Sequence, residues 1–242
     1  MRILFASGPA PIGTIVCSQH GDERFGITVF ERLLRDTQRR QYLHLILANE
    51  EAIERNTRYI ATDLNRSYPG SLTGSLEEQM AYALLPVAQS TRIVLDIHTT
   101  TANIQMVPIV ANLSDEVKQM LAHTSSSEVA LIAPAMASHS LIGNVRAGIS
   151  LEFNEHYATT EAAYDDVLRV IDGVIEHRTL SPRTRNIFTI TGGIPVDVVI
   201  PDHARDYEFI PELGVYPFLL HERAYATHYH ALAATSVETV VI

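Results

Sequence analysis

The stretch VCSQHGDERFG, residues 16–26, sets His20 and Glu23 three positions apart just beyond an apolar run. On one helical turn that spacing brings two side chains to about 5–6 Å at Cβ, which suits two ligands of one divalent ion. Alone, the pair is a weak signal, since surface His and Glu at this spacing are common. A third donor is His98, at the C-terminal end of the apolar run RIVLDIH, 92–98. Two imidazoles and a carboxylate are a known catalytic zinc set, with one position left for solvent. Asp96, two residues before His98 and so on the same strand face, is placed to orient an imidazole as an outer carboxylate. The plainer alternative for His98 is a strand-end histidine bonded to the threonines that follow.

Two further segments carry charge where charge has consequences. TRYIATDLNRSYPG, 57–70, gathers Arg58, Asn65 and Arg66 within nine positions. Arginine grips carboxylates through two parallel hydrogen bonds, which lysine cannot copy. Read by itself the segment is also compatible with a solvated loop. Glu152 lies inside the apolar strand ISLEF, 149–153, where an unpaired carboxylate is costly. It is therefore either functional or salt-bridged to an arginine.

These segments occur in a fixed order: H-G-D-E (20–23), R-Y-I-A-T-D-L-N-R (58–66), D-I-H-T-T-T (96–101), S-L-E-F (150–153) and V-Y-P-F-L-L-H-E-R-A-Y (215–225). Together they resemble the aspartoacylase and succinylglutamate desuccinylase family, relatives of the zinc carboxypeptidases, over about residues 15 to 225. The resemblance implies that His20, Glu23 and His98 hold one zinc ion per chain. It implies that Glu152 activates the attacking water and that Arg58 lies near the scissile carbonyl. Asn65 and Arg66 would grip the substrate carboxylate. Tyr225 would reach into the pocket, with Tyr216 as a rival, and Arg146 would be a further carboxylate-binding arginine. The implied reaction removes an acyl group from an N-acyl amino acid, with an acidic side chain such as aspartate expected. A carboxypeptidase-like peptidase and a metal binder without turnover are the alternatives. Departures from the family pattern fall at Asp22, at Thr99-Thr100-Thr101 and at Phe153-Asn154, all positions that shape a pocket.

Amide hydrolysis needs a nucleophile, stabilisation of the oxyanion and a proton for the leaving amine. Glu152 would take the water proton and deliver it to nitrogen. Arg58 would support the oxyanion, where one lost donor costs roughly 10²–10³ in rate.

The elements that must position these groups follow from periodicity. Residues 3–7, 14–18, 42–48, 92–98, 104–110 and 149–153 read as short strands, apolar on both faces. Segments 25–38, 75–89 and 159–177 carry apolar residues at helical spacing, with a capping box at Ser75 and Glu78 and half of one at Thr160. The alternation predicts an α/β fold: a mixed, largely parallel sheet flanked by helices. His20 and His98 then stand at the same sheet edge, where open α/β sheets place their crevices. A hydrolase domain over 1–180 and a small β-rich part over 181–242 contributing to the pocket are expected. Within the latter, residues 186–201 read as two strands turning at Gly192-Gly193.

Bulk properties narrow the classes. The 242 residues suffice for one sizeable core. Cys17 is the only cysteine and reads as a buried strand residue, so no internal disulfide forms and a cytoplasmic setting is expected. The N-terminal MRILFASGPAP runs into Gly8, Pro9 and Pro11 and suits a first strand rather than a signal peptide. No apolar run reaches the roughly 18 residues of a membrane span. The net charge, 18 − 28 = −10, argues against nucleic acid. A small N-acyl amino acid is the expected partner, and the family resemblance implies a homo-oligomer. The bulk charge does not forbid an anionic substrate, because screening limits its reach to about 8 Å and local arginines dominate within a cleft.

Overall fold

Strict alternation along the central strands decides which side chains face which helix layer. The computed structural model, which describes all 242 residues, contains β1 (Arg2–Leu4), β2 (Gly13–Cys17), α1 (Arg24–Arg35), β3 (Leu43–Leu47), α2 (Glu50–Arg55), α3 (Leu76–Gln89), β4 (Ile93–Thr100), β5 (Met106–Val110), α4 (Asp115–Ala122), β6 (Glu128–Ile132), α5 (Pro134–Ala137), β7 (Gly148–Asn154), α6 (Glu161–Ile175), β8 (Thr184–Pro195), β9 (Tyr216–Phe218) and β10 (Tyr229–Val241). Ile15, Cys17, Leu45, Leu95, Ile97, Ile149 and Leu151 pack with α1, α4 and α6 in one core. Their neighbours Val16, Ile46 and Val94 point the other way, onto Ala81, Leu84 and Ala88 of α3. This period of two makes strands buried on both faces, and so continuously apolar in sequence.

All ten strands form one sheet in the order β1-β3-β2-β4-β7-β5-β6-β8-β10-β9. Five of the nine pairings are parallel and four antiparallel. The mixed α/β sandwich read from the sequence is the fold the chain adopts. β3, β2, β4 and β7 run parallel as one block, so their C-terminal ends share an edge, and that edge carries the site. Helix starts there are locally determined. Ser75 accepts the Glu78 N–H while Glu78 accepts the Ser75 N–H, completing the capping box of α3. Thr160 caps α6 through the Ala163 N–H.

Two features of the C-terminal part differ from expectation or extend it. Gly192-Gly193 does not turn a hairpin: β8 continues through both glycines and pairs with β10, with a register shift between Ile190 and Gly192. A type I′ turn needs positive φ, and neither glycine adopts it. The small size of Gly193 serves β10 instead, since a Cβ there would sit 2.4 Å from the Tyr229 ring, whereas a Cβ on Gly192 would meet nothing within 4 Å. In addition, β8 pairs parallel with β6, so the residues after 180 extend the main sheet. The long connection between β8 and β10 carries β9 and a short 3₁₀ turn at Arg223–Tyr225, which returns to the edge where β4 ends.

Candidate active site

The edge is built from three strand ends. After β2 the chain turns at Ser18, with φ of 53°, and enters the H-G-D-E segment. Gly21 is wedged against α2, where a Cβ would lie 2.1 Å from the Ala52 carbonyl carbon; its N–H donates to the Arg58 carbonyl at 3.1 Å. No side chain larger than hydrogen fits there. Glu23 occupies the position just before α1, yet its carboxylate does not cap the helix. It reaches the imidazoles instead. His20 Nδ1 lies 2.6 Å from Glu23 Oε1, and His98 Nδ1 lies 3.0 Å from Glu23 Oε2. The donor atoms of His20, Glu23 and His98 all fall within 4.8 Å of one another, and all three residues are buried.

The far side of each ring is fixed by a second carboxylate. His20 Nε2 lies 3.0 Å from Asp63 Oδ1, and His98 Nε2 lies 2.8 Å from Asp96 Oδ2. With Nε2–H donated outward, both Nδ1 lone pairs face the shared centre, the arrangement of a carboxylate–histidine–metal site. Asp96 is itself held by Gln19 Nε2 at 2.8 Å and Ser150 Oγ at 3.0 Å, and Tyr68 OH donates to Gln19 Oε1 at 2.9 Å. Two imidazoles and one carboxylate with tied outer nitrogens fit a zinc ion in donor type and number. Cys17 is not among the converging donors; it lies in the core, and burial pushes its thiol pKa up.

The electrostatics point the same way. Burial opposes charge on His20 and His98, but the neighbouring carboxylates outweigh it, and both imidazoles are held above their ordinary pKa. Burial likewise works against the Glu23 and Asp63 carboxylates, yet the histidines, with Arg58 acting on Asp63, drive both well below the usual range. A bound dication would replace the two imidazolium protons as the partner of these carboxylates.

Glu152 stands beside this centre because β4 and β7 pair in register: His98 is directly opposite Glu152. Burial raises its pKa to about 7, with His98 and His20 opposing and Glu23 and Glu222 adding. A carboxyl tuned to that range can both accept and return a proton near neutrality. Arg58 packs against the same carboxylates, its NH2 3.1 Å from Asp63 Oδ2 and its NH1 3.5 Å from Glu23 Oε1. Asn65 is fixed by its Oδ1 accepting the Leu141 N–H at 3.2 Å. Arg66 uses NH1 to bond the Asn65 carbonyl at 2.8 Å. Arg58, Asn65, Arg66, Glu152 and Tyr225 line one cavity of about 450 Å³.

Tyr225 arrives on the 3₁₀ turn from the C-terminal part. Glu222 anchors that turn: it accepts the Thr100 hydroxyl, the Thr101 N–H at 2.7 Å and the Ala224 N–H at 2.8 Å. Burial and the nearby Glu152 raise the Tyr225 phenol pKa, so it is a neutral donor. Tyr216 instead packs edge-on against Phe188, with ring centroids 5.5 Å apart. Arg146 is a correction. It precedes β7, at the opposite sheet edge from Glu152, and its exposed guanidinium pairs with Glu116 at 2.7 Å. Sequence reasoning did not assign Asp63, Gln19, Ser150 or Glu222. Asp63 and Glu222 lie within quoted motifs, but no spacing signal says which imidazole or loop they hold.

Residues 10–178 match the family described as Succinylglutamate desuccinylase/Aspartoacylase catalytic domain. A probable aspartoacylase of Acaryochloris marina (strain MBIC 11017) is 32% identical over 111 residues, covering 40% of this chain and 38% of that protein. An N-acyl-aromatic-L-amino acid amidohydrolase (carboxylate-forming) of Xenopus laevis is 32% identical over 112 residues, covering 40% of this chain and 37% of that protein. The matched stretch thus spans less than half the length of these curated relatives. Among solved structures, murine aminoacylase 3 aligns with a TM-score of 0.76 over 98% of both chains at 20% identity, a likeness of fold.

Proposed function

The chain belongs to the succinylglutamate desuccinylase/aspartoacylase catalytic-domain family, and from that premise we propose that it is a zinc-dependent amidohydrolase releasing the acyl group of an N-acyl amino acid. One observation carries the reading. Two histidines and a glutamate from separate strand ends converge within 4.8 Å, with Glu152 beside them in register. Arg58 and Arg66 line the same small recess as His20, Glu23 and Glu152.

His20, Glu23 and His98 would hold the metal. A zinc ion there supplies Lewis acidity and lowers the pKa of water at the site. The remaining work falls to the chain's own groups. Glu152, near pKa 7, accepts the proton of the attacking water at its carboxylate and returns it to the departing amine nitrogen. Arg58 directs its guanidinium at the developing oxyanion, held in place by Asp63. Asn65 and Arg66 hold the substrate carboxylate, so the amide carbonyl meets the water in a fixed orientation. Tyr225 closes the recess as a neutral hydroxyl donor. The acidic side chain expected for the substrate needs a further cation, and Arg146 lies on the wrong edge to supply it.

The test is product analysis with zinc-loaded protein on two substrate sets, N-acetyl amino acids and short peptides with free carboxyl termini. The proposal expects release of acetate and free amino acid from the first set, with peptides cut far more slowly. Cleavage confined to peptides would move the reading to a carboxypeptidase, and no cleavage of either set would leave a metal-binding protein.

A further inference from the structure

We infer that the larger cavity beside Glu152 seats a bulky apolar amino-acid side chain, so that this chain selects N-acyl derivatives of apolar rather than acidic amino acids. The inference rests on the N-acyl amino acid reading above and adds the class of side chain. Its basis is the wall facing Arg58, Asn65 and Arg66. That wall is formed by Ile109, Ile132, Met136, Ile142 and Leu232. They come from four elements: β5, β6 and α5, and β10, with Ile142 in the loop before β7. Ile109, Ile142 and Leu232 are buried, so the wall is the outer layer of a packed core.

Ser150, Ser140 and His139 in that wall are already engaged within the protein. Ser150 donates its hydroxyl to Asp96 and Ser140 donates its own to the Ala137 carbonyl, at 3.0 and 2.9 Å. His139 Nδ1 bonds the Tyr68 carbonyl at 3.2 Å. His228 is exposed at the rim. No lysine lines the cavity, and its two arginines are those at the reaction end. A second substrate carboxylate against this wall would lose its hydration and meet no further arginine or lysine, which is unfavourable. An apolar side chain would gain by transfer from water.

The cavity, at about 450 Å³, lies in the range of small-molecule pockets. The polar recess bounded by Thr99, Thr100 and Glu222 measures about 30 Å³ and adjoins a polar opening of about 530 Å³ bounded by Asp22, Asn56, Glu155 and Arg223, so it is the apolar lining that marks the place of an apolar side chain.

The experiment measures binding and turnover separately. In the first arm the acyl group is fixed as acetyl, and the side chain runs through phenylalanine, leucine, methionine, aspartate and glutamate. In the second the amino acid is fixed and the acyl chain is lengthened from acetyl to hexanoyl. Binding is read by calorimetry on the zinc-loaded Glu152→Gln variant, and turnover on the wild type. Apolar side chains should be favoured by at least about tenfold over acidic ones in binding. Met136→Arg, a change on the half-buried face of α5, should shift that ratio by about tenfold towards the aspartate derivative. Equal or tighter binding of the acidic derivatives overturns the inference, whatever the turnover. So does a preference that follows acyl length and ignores the side chain. If apolar derivatives bind selectively but none is hydrolysed, the deacylase reading fails while the cavity assignment stands.

Discussion

Asp63 shows how much a single carboxylate settles at the site. One of its oxygens holds His20 Nε2 at 3.0 Å, and the other holds Arg58 through NH2 at 3.1 Å. It thereby sets the ring orientation of His20, a proposed metal donor, and the position of Arg58, which the proposed mechanism places beside the scissile carbonyl. Asp63→Asn should keep the shape, weaken the bond to the imidazole and lower zinc affinity by about 10–100-fold, measured by competition with a chromophoric chelator. Arg146→Ala should leave both zinc affinity and turnover at wild-type values. The contrast reflects what a sequence can carry. The convergence of His20, Glu23 and His98 was legible because the spacing of the first two puts them on one turn and His98 ends a strand at the same sheet edge. Arg146 was misplaced because an offset of six residues from Glu152 spans about 20 Å along an extended chain, which takes it to the opposite edge of the sheet. The partners of Asp63 and Asp96 depend on side-chain directions that no spacing encodes.

Among the elements, the strands around the site announced themselves. β2, β3, β4 and β7 are apolar on both faces because helices cover both sides, as the two core clusters show, and short apolar runs bounded by polar residues report that state directly. The diglycine misled for a physical reason. Gly192-Gly193 has the composition of a tight turn, but at Gly193 the Tyr229 ring needs the space a side chain would fill, and that requirement comes from β10, some thirty-six residues later. The same C-terminal segment holds an element-level test. Asp206 sits in the connection between β8 and β9, where burial raises its pKa from 3.8 to about 6 although its Oδ1 accepts the Leu220 N–H at 2.9 Å. Below about pH 4 the group is protonated in both folded and unfolded chains and costs nothing. Between pH 4 and 6 the unfolded chain loses the proton first, so stability falls, and above pH 6 the cost is constant. Asp206→Asn keeps an acceptor for Leu220 and removes that penalty. It should be more stable than the parent at pH 7 by on the order of 1–3 kcal/mol, with the gap closing as pH falls towards 4. Denaturant unfolding across that pH range checks it, and a pH-independent difference would contradict it.

At the scale of the molecule, the site is an assembly of distant chain segments. The segment after β2 carries His20 and Glu23 and the end of β4 carries His98, the proposed metal donors. β7 supplies Glu152 in register with His98, and the 3₁₀ turn at residues 223–225 brings Tyr225 from the far end of the sequence. Glu222 ties that turn to Thr100 and Thr101 at the end of β4, so the C-terminal part is anchored at the site itself. The sequence revealed that residues after 180 are β-rich, but their pairing of β8 with β6 depends on contacts between segments far apart in the chain. The net charge of −10 coexists with an anion-binding reading because Arg58 and Arg66 line the cavity while most acidic side chains lie outside it. The central claim is that this assembly is a metal-assisted hydrolase in which Glu152 moves the proton. Turnover of an N-acyl amino acid by Glu152→Gln, with zinc content measured on the same sample, tests it most directly. The account predicts about one zinc per chain in both proteins and a loss of turnover of at least about 10²-fold in the variant. Wild-type turnover by a zinc-loaded Glu152→Gln protein would contradict it.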